Sequence, residues 1–336
     1  MIGDAASRAV PSRQRVVGLI DLDGTWLSKN PACRAQLDAG LLALKDQYSR
    51  QGIDFEFGPV TARPPVRVAS ENLPTPDWCI TYNGGYIHRG APGHYEGSHY
   101  VVNPPLPAWV QANDATGFNA GQAGHVLQDL LADQRFQNLR LRTIGQVVGN
   151  PAADACPYVY SPCIEESSVQ LSPQEAQDEN HNQVPDVFDA NTFHPPTQVA
   201  QLVDELRQRL AARHVPCAVS PVYPAEGRPL VMFDVTTPMA DKGDAVEYLR
   251  KLCSLPADHL IVAGNGGNDI SMMRAPDGTD DGRRAIVVGG EADLYKAAAG
   301  LEHLYAAPAD MDCSLGVLEG FRHHLEALAL QLSDRR

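Results

Sequence analysis

Between Val16 and Thr25 the chain reads Val-Val-Gly-Leu-Ile-Asp-Leu-Asp-Gly-Thr, an apolar run that ends in two carboxylates one residue apart. Aliphatic and β-branched residues closed by Gly predict a buried strand. A strand that ends in charge puts that charge at the edge of a sheet. In open α/β sheets, ligands bind just beyond the carboxyl ends of the strands. Asp21 and Asp23 are alternate residues, so they point the same way if strand geometry continues that far. Two neighbouring carboxylates repel, and a cation, or a proton on one of them, must relieve the repulsion. The stretch therefore asks for a sheet with a working rim and for a metal, an acid–base role, or both.

The flanking sequence supplies the rest of such a sheet. A helix is expected over roughly Arg34 to Gln51, a second strand over Phe55 to Thr61, a short helix over Val66 to Asn72 and a third strand over Trp78 to Asn83. From Gly85 the texture changes and becomes rich in Pro, Asn, Gln and His. There, helices are expected over Gln122–Gln134 and Gln198–Arg213, strands over Tyr158–Ile164, Cys217–Tyr223 and Leu230–Thr236, and an exposed loop over Gln174–Asn191. At Pro238 the α/β rhythm resumes. A helix follows over Lys242–Cys253, strands over Leu260–Ala263, Ala285–Val288 and His303–Ala306, a short helix over Asp293–Ala299, and a closing helix over Cys313–Leu332. The expected organisation is a loose tail (1–14), a discontinuous α/β core with a parallel sheet (15–84 and 238–332) and an inserted α+β domain (85–237).

Charge and cysteine usage narrow the function. A net charge of -14 repels nucleic acid but leaves room for a small phosphorylated molecule in a local cationic pocket. The seven cysteines form no Cys-x-x-Cys pair and read as core fillers in a reducing, cytoplasmic setting. No apolar run reaches transmembrane length, so no membrane partner is expected, and residues 1–15 lack the apolar stretch of a secretory signal. His88, His94, His99, His181 and His194 lack tight ligand spacing and are expected to be surface residues.

Four groups sit at the ends of core elements: Asp21 with Asp23, Thr61 with Arg63, Lys242, and the loop Asn265 to Asp269. If the strands lie parallel, the three strand-end groups converge at one rim, and Lys242 opens a helix whose N-terminus favours an anion. The pieces fit one reaction. A carboxylate attacks phosphorus to form an acyl phosphate, and a second carboxylate protonates the leaving oxygen and later activates water. A hydroxyl and N–H groups hold the phosphoryl oxygens, Lys offsets their charge, and a divalent ion clamps carboxylate and phosphate together.

These residues carry a resemblance. Asp21-Leu22-Asp23-Gly24-Thr25 resembles the first motif of the haloacid dehalogenase superfamily, and Thr61-Ala62-Arg63 the Thr-Gly-Arg second motif of its type IIB branch. Asp241-Lys242-Gly243 is similar to the third motif, and Gly264-Asn265-Gly266-Gly267-Asn268-Asp269 to the fourth, usually Gly-Asp-x-x-Asn-Asp. Tyr82-Asn83-Gly84-Gly85 resembles the step by which type IIB members leave the core for a cap domain, and the closing Gly316 to Phe321 looks like the tail of sucrose-phosphatase-like members. The resemblance implies a Rossmann-like core with a cap, and a phosphatase of a small phosphorylated metabolite such as a sugar phosphate. It makes Asp21 the nucleophile, Asp23 the general acid/base and Lys242 the charge-stabilising residue. Thr61, Ala62 and Asn268 would bind phosphate, and Arg63 and Asn83 the substrate. Magnesium would be held by Asp21, the backbone carbonyl of Asp23, Asn265 and Asp269.

Two positions depart from the pattern. Ala62 stands for Gly, which matters only if a positive φ is needed there. Asn265 stands for an acidic residue, which removes a negative charge from the magnesium site. The second departure keeps open a catalytically weak protein of this fold that binds a ligand or partner. A sugar phosphomutase is the third reading.

Overall fold

The computed structural model describes residues 13–334 apart from 98, 178–184, 189–193, 221–222, 225–228 and 290–291. The opening apolar run is a strand, β1 (Gln14–Asp21), and every residue from Val16 to Asp21 is buried. The other strands of its sheet are β2 (Ile53–Val60), β3 (Trp78–Thr81), β4 (Tyr86–Arg89), β5 (Leu260–Gly264), β6 (Arg284–Val287) and β7 (His303–Ala306). They lie in the order β7-β6-β5-β1-β2-β3-β4, and every pairing is parallel except that of β3 with β4. β1 is central, with β2 and β5 as its neighbours, so the chain leaves it in opposite directions on its two sides. That is the switch point at which α/β sheets open a ligand crevice.

Both faces of the sheet are covered, and the alternation of β1 shows how. Val16 and Ile20 pack on one face with Phe55, Phe57 and Phe321, under the helices Pro31–Ser49 and Cys313–Asp334. Val17 and Leu19 pack on the other with Val262, Val287 and Leu249, under the helix Lys242–Leu252. A Cβ at Gly18 would lie 2.5 Å from a ring carbon of Phe321, so glycine lets the closing helix settle onto the sheet. The Lys242 helix is started by Asp241, whose carboxylate accepts the N–H groups of Gly243 and Asp244.

The expected boundary at residue 84 falls inside this layer. Tyr86–Arg89 is the seventh strand of the sheet, and Trp109 on the helix Pro107–Asp114 is buried in the second core cluster. His88, expected at the surface, is buried in β4 because that strand is paired and covered, and its Nδ1 lies 2.8 Å from the carbonyl of Asn103. His94, His99 and His194 are exposed, and His181 lies outside the described residues.

The insert has its own core. Helices Ala120–Leu131 and Thr197–Ala212 pack Val126, Leu130, Leu202 and Leu206 against Ile164, Val231 and Val235 of two small antiparallel sheets. Two expected strands are divided between these sheets. Tyr158–Ile164 splits into Val159–Tyr160 and Cys163–Glu165, with Pro162, which has no N–H to donate, at the break. Leu230–Thr236 splits into Leu230–Met232 and Val235–Thr236. Of the third expected strand, only Ala218–Val219 and Tyr223 are paired among the described residues. The Gln174–Asn191 loop is not wholly exposed, since Val187 and Phe188 join the insert core; residues 178–184 and 189–191 lie outside the description. The expected tail lies outside it too, up to residue 12, and β1 begins at Gln14. All seven cysteines are free. No helix among the described residues is long and apolar enough to cross a membrane.

Candidate active site

The parallel sheet brings the strand-end groups together. Asp21 ends β1, Thr61 follows β2 and Asn265 follows β5. Lys242 reaches them from the first turn of its helix. Its ammonium donates to Asp21 Oδ1 at 2.6 Å and to Asp269 Oδ1 at 2.7 Å, and all three side chains are buried. Asp21 Oδ2 accepts from the Thr25 hydroxyl at 3.1 Å. Asp269 Oδ2 accepts the backbone N–H groups of Asn265 (3.0 Å) and Gly266 (3.1 Å).

Charge dominates this cluster. Two carboxylates and one ammonium leave a net negative charge in a buried site. Burial, together with the charge of Asp269, pushes the Asp21 carboxyl up to about 7 against the pull of Lys242. Burial works against the Lys242 charge as well, but Asp21 and Asp269 outweigh it and raise its pKa. The site can therefore take up one more positive charge, as a proton or as a cation.

The strand ends at Asp21, and Leu22 stays in the core cluster of Val16 and Ile20, so Asp23 follows Asp21 on the other face. The chain then turns at Gly24, whose φ of +72° lies in the region that favours glycine. The Asp23 side chain is 45% exposed. There the Arg63 guanidinium grips it in a fork, with Nε 2.9 Å from Oδ2 and Nη2 on Oδ1, while its Nη1 binds Glu71. Arg63, expected to await substrate, is thus already paired on both sides. Its carboxylate partners raise its pKa in spite of burial.

The remaining expected residues divide. Thr61 is buried at the rim, and its hydroxyl accepts the N–H of Arg63 at 3.1 Å. Ala62 is exposed and has no positive φ, so the loss of glycine costs nothing in backbone conformation. Asn268 is exposed on the loop after β5. Asn83 adopts φ 53° and donates its backbone N–H to Thr61 O; its side-chain amide binds Asp234, which also accepts from Ser161. It ties the rim to the insert. Asp269 has both oxygens engaged, by Lys242 and by the loop N–H groups, so it organises the site. Thr25, Glu71 and Asp234 had no role in the sequence reading. Thr25 was legible as the fifth residue of the first motif, but nothing local marks the other two.

An oxygen-lined position does exist. The outer end of the Asn265 amide lies 3.2 Å from Asp21 Oδ2, 3.0 Å from the backbone carbonyl of Asp23 and 3.0 Å from the Thr25 hydroxyl. With its oxygen turned to that side, it joins Asp21 Oδ2 and the Asp23 carbonyl next to a net negative charge. This all-oxygen donor set of Asp21, the Asp23 carbonyl and Asn265 fits a magnesium ion.

Comparisons with known proteins bear on this arrangement. The crystal structure of the sucrose-phosphatase from Synechocystis, in complex with sucrose and phosphate, superposes with a TM-score of 0.55. It has 18% sequence identity and covers 93% of this chain and 98% of that one. BT1666 from Bacteroides thetaiotaomicron, described among phosphatases of the haloalkanoate enzyme superfamily, has a TM-score of 0.51 and 14% identity, covering 95% and 98% of the two chains. This chain has the haloacid dehalogenase fold. The haloacid dehalogenase-like hydrolase protein yhjK from Bacillus subtilis agrees, with a TM-score of 0.52, 14% identity, and 93% and 92% coverage. The family model for sucrose-6F-phosphate phosphohydrolase matches residues 167–325, a span that takes in Lys242 and the loop to Asp269. A comparison with curated protein sequences finds no match.

Proposed function

We propose that the chain is a magnesium-dependent phosphohydrolase acting on a small phosphorylated metabolite, and on sugar phosphates in particular. The observation that carries this reading is the buried bridge of Lys242 between Asp21 and Asp269, at the sheet rim that also carries Thr61 and Asn265. In this reading Asp21 attacks phosphorus, the bond to the leaving oxygen breaks, and Asp23 delivers a proton to that oxygen. Asp23 then takes a proton from water, whose oxygen attacks the acyl phosphate, releasing phosphate and restoring Asp21. Partial exposure of Asp23 leaves it open to exchange that proton. Thr61, the N–H of Ala62 and Asn268 hold the phosphoryl oxygens, and Lys242 screens the charge on Asp21 during attack. Magnesium, held by Asp21, the Asp23 carbonyl and Asn265, supplies neutralisation of the phosphoryl oxygens when bound.

In the same reading the main sheet and its helices are the catalytic domain, and the rest of residues 85–237 is the cap that receives the leaving group. A cavity of about 370 Å³ supports this. It is lined by Tyr82, just past β3, and by insert residues both apolar, such as Ile144 and Val159, and polar, such as His125, Gln128 and Asp154. The polar members offer hydrogen bonds to a hydroxylated group. The seven free thiols suit a cytoplasmic setting. The test is phosphate release from a panel of sugar phosphates, with and without Mg²⁺. Turnover is expected to need the ion and to vanish in Asp21→Asn, and turnover that survives this substitution refutes the assignment.

A further inference from the structure

Asn265 can present either of two opposite chemistries to Asp21 and the Asp23 carbonyl. A carboxylate offers only acceptors, whereas an amide offers an acceptor at one end and two donors at the other. The two ends are told apart by their partners. With the carbonyl oxygen turned inward, Asp21 Oδ2, the Asp23 carbonyl and the Asn265 oxygen crowd together with no proton between them. The Thr25 hydroxyl has one proton for two acceptors, Asp21 Oδ2 at 3.1 Å and Asn265 at 3.0 Å. With the NH₂ turned inward, its two protons have Asp21 Oδ2, the Asp23 carbonyl and the Thr25 oxygen within reach; they serve the carbonyl and the Thr25 oxygen, and the Thr25 proton is left for Asp21. Every oxygen then has a partner.

We propose that the Asn265 amide is a two-position gate: its NH₂ stands in for the cation when the site is empty, and a half-turn presents its oxygen when a divalent cation binds. The proposal rests on the magnesium site of the proposed function. Two glycines, Gly24 at φ +72° and Gly289 at φ +83°, keep the space around the amide free of side chains. A Cβ on Gly24 would stand 2.4 Å from the amide nitrogen, and one on Gly289 would stand 3.1 Å from the Asn265 Cβ. Both would confine the turning group.

Charge explains what the gate does. An acidic residue at 265 would join Asp21 and Asp269 against Lys242 alone, and the site would depend on its cation to offset the repulsion. The amide leaves the cation-free site internally bonded, so a cation must displace its N–H hydrogen bonds to enter. Affinity for the ion alone is therefore low. It rises when a phosphate brings further negative oxygens to the same point, so cation and phosphate bind cooperatively.

The test uses the full chain and needs no variant for its first part. The Asn265 side-chain NH₂ signals are followed by NMR during a Mg²⁺ titration, with and without inorganic phosphate, and are identified by their loss in Asn265→Asp. The gate predicts slow exchange with solvent in EDTA and loss of that protection on Mg²⁺ saturation. It also predicts that phosphate tightens Mg²⁺ binding, read by calorimetry. Asn265→Asp is expected to bind Mg²⁺ alone about tenfold more tightly than wild type and to melt at lower temperature in EDTA. Unchanged NH₂ protection at saturating Mg²⁺, or equal Mg²⁺ affinity in the two proteins, overturns the gate while leaving the phosphohydrolase standing. Failure of both proteins to take up Mg²⁺ overturns the magnesium site itself.

Discussion

His324 offers the sharpest test of how the closing helix sits on the sheet. Its side chain is 1% exposed, and its Nε2 lies 3.1 Å from the carbonyl of Ala285 in β6. A carbonyl only accepts, so Nε2 carries the proton, and Nδ1, which has no partner, is bare. Burial, reinforced by the charge of Arg284, lowers the His324 pKa from 6.5 to about 3. The unfolded chain therefore binds a proton below pH 6.5 that the folded chain refuses. Stability is intact above 6.5 and is lost as pH falls from 6.5 towards 3. By linkage the loss at pH 5, relative to pH 8, is about 2 kcal/mol. Replacing His324 with Leu removes this loss and also removes the hydrogen bond to Ala285, at a cost of about 1–2 kcal/mol that does not depend on pH. The variant should thus be less stable than wild type at pH 8 and equal or more stable at pH 5. Urea unfolding followed by tryptophan fluorescence measures this where it matters, because Trp26, Trp78 and Trp109 all pack in the clusters of the main sheet. A stability difference that is the same at both pH values would refute the buried neutral imidazole.

Two further substitutions probe the sheet and the site. Gly58 lies in β2 so close to β3 that a Cβ would fall 1.7 Å from the backbone oxygen of Trp78. Gly58→Ala should therefore cost about 3 kcal/mol in urea unfolding, and a change under about 0.5 kcal/mol would contradict this close approach. Lys242→Met leaves Asp21 and Asp269 buried without their ammonium, so in EDTA it should cost about 3–5 kcal/mol of stability, and Mg²⁺ should restore part of it. An unaltered unfolding midpoint in EDTA would mean that the three charges are not balanced as described.

What was legible in the sequence depended on how local its cause was. β1, Asp21, Thr61 and Lys242 could be placed because each stands where a pattern changes, at a strand end or a helix start, and the parallel sheet then does the rest. β4 and the broken strands of the insert were not legible. Their pieces are two to four residues long, and their pairing is decided by neighbours distant in sequence. Side-chain partners were the least legible. Nothing local marks Arg63 as the donor that bridges the Asp23 and Glu71 carboxylates.

The loop after β5 shows why residue type alone misleads at such a site. Among its residues, the acidic Asp269 invites the role of ligand, and the neutral Asn265 reads as a loss. The hydrogen bonds reverse this. Asp269 spends one oxygen on Lys242 and the other on two backbone N–H groups, so its charge fixes the ammonium and the loop. Asn265 faces Asp21 Oδ2 and the Asp23 carbonyl, and its amide can meet them as a donor or as an acceptor. One negative charge fewer weakens a magnesium site, but it also lets the site close on itself when the ion is absent. A carboxylate at 265 could do the first job only with its cation in place. The departure from the motif is therefore coherent with its surroundings: the turn at Gly24 leaves the Asp23 carbonyl, and the space beside it, to the amide.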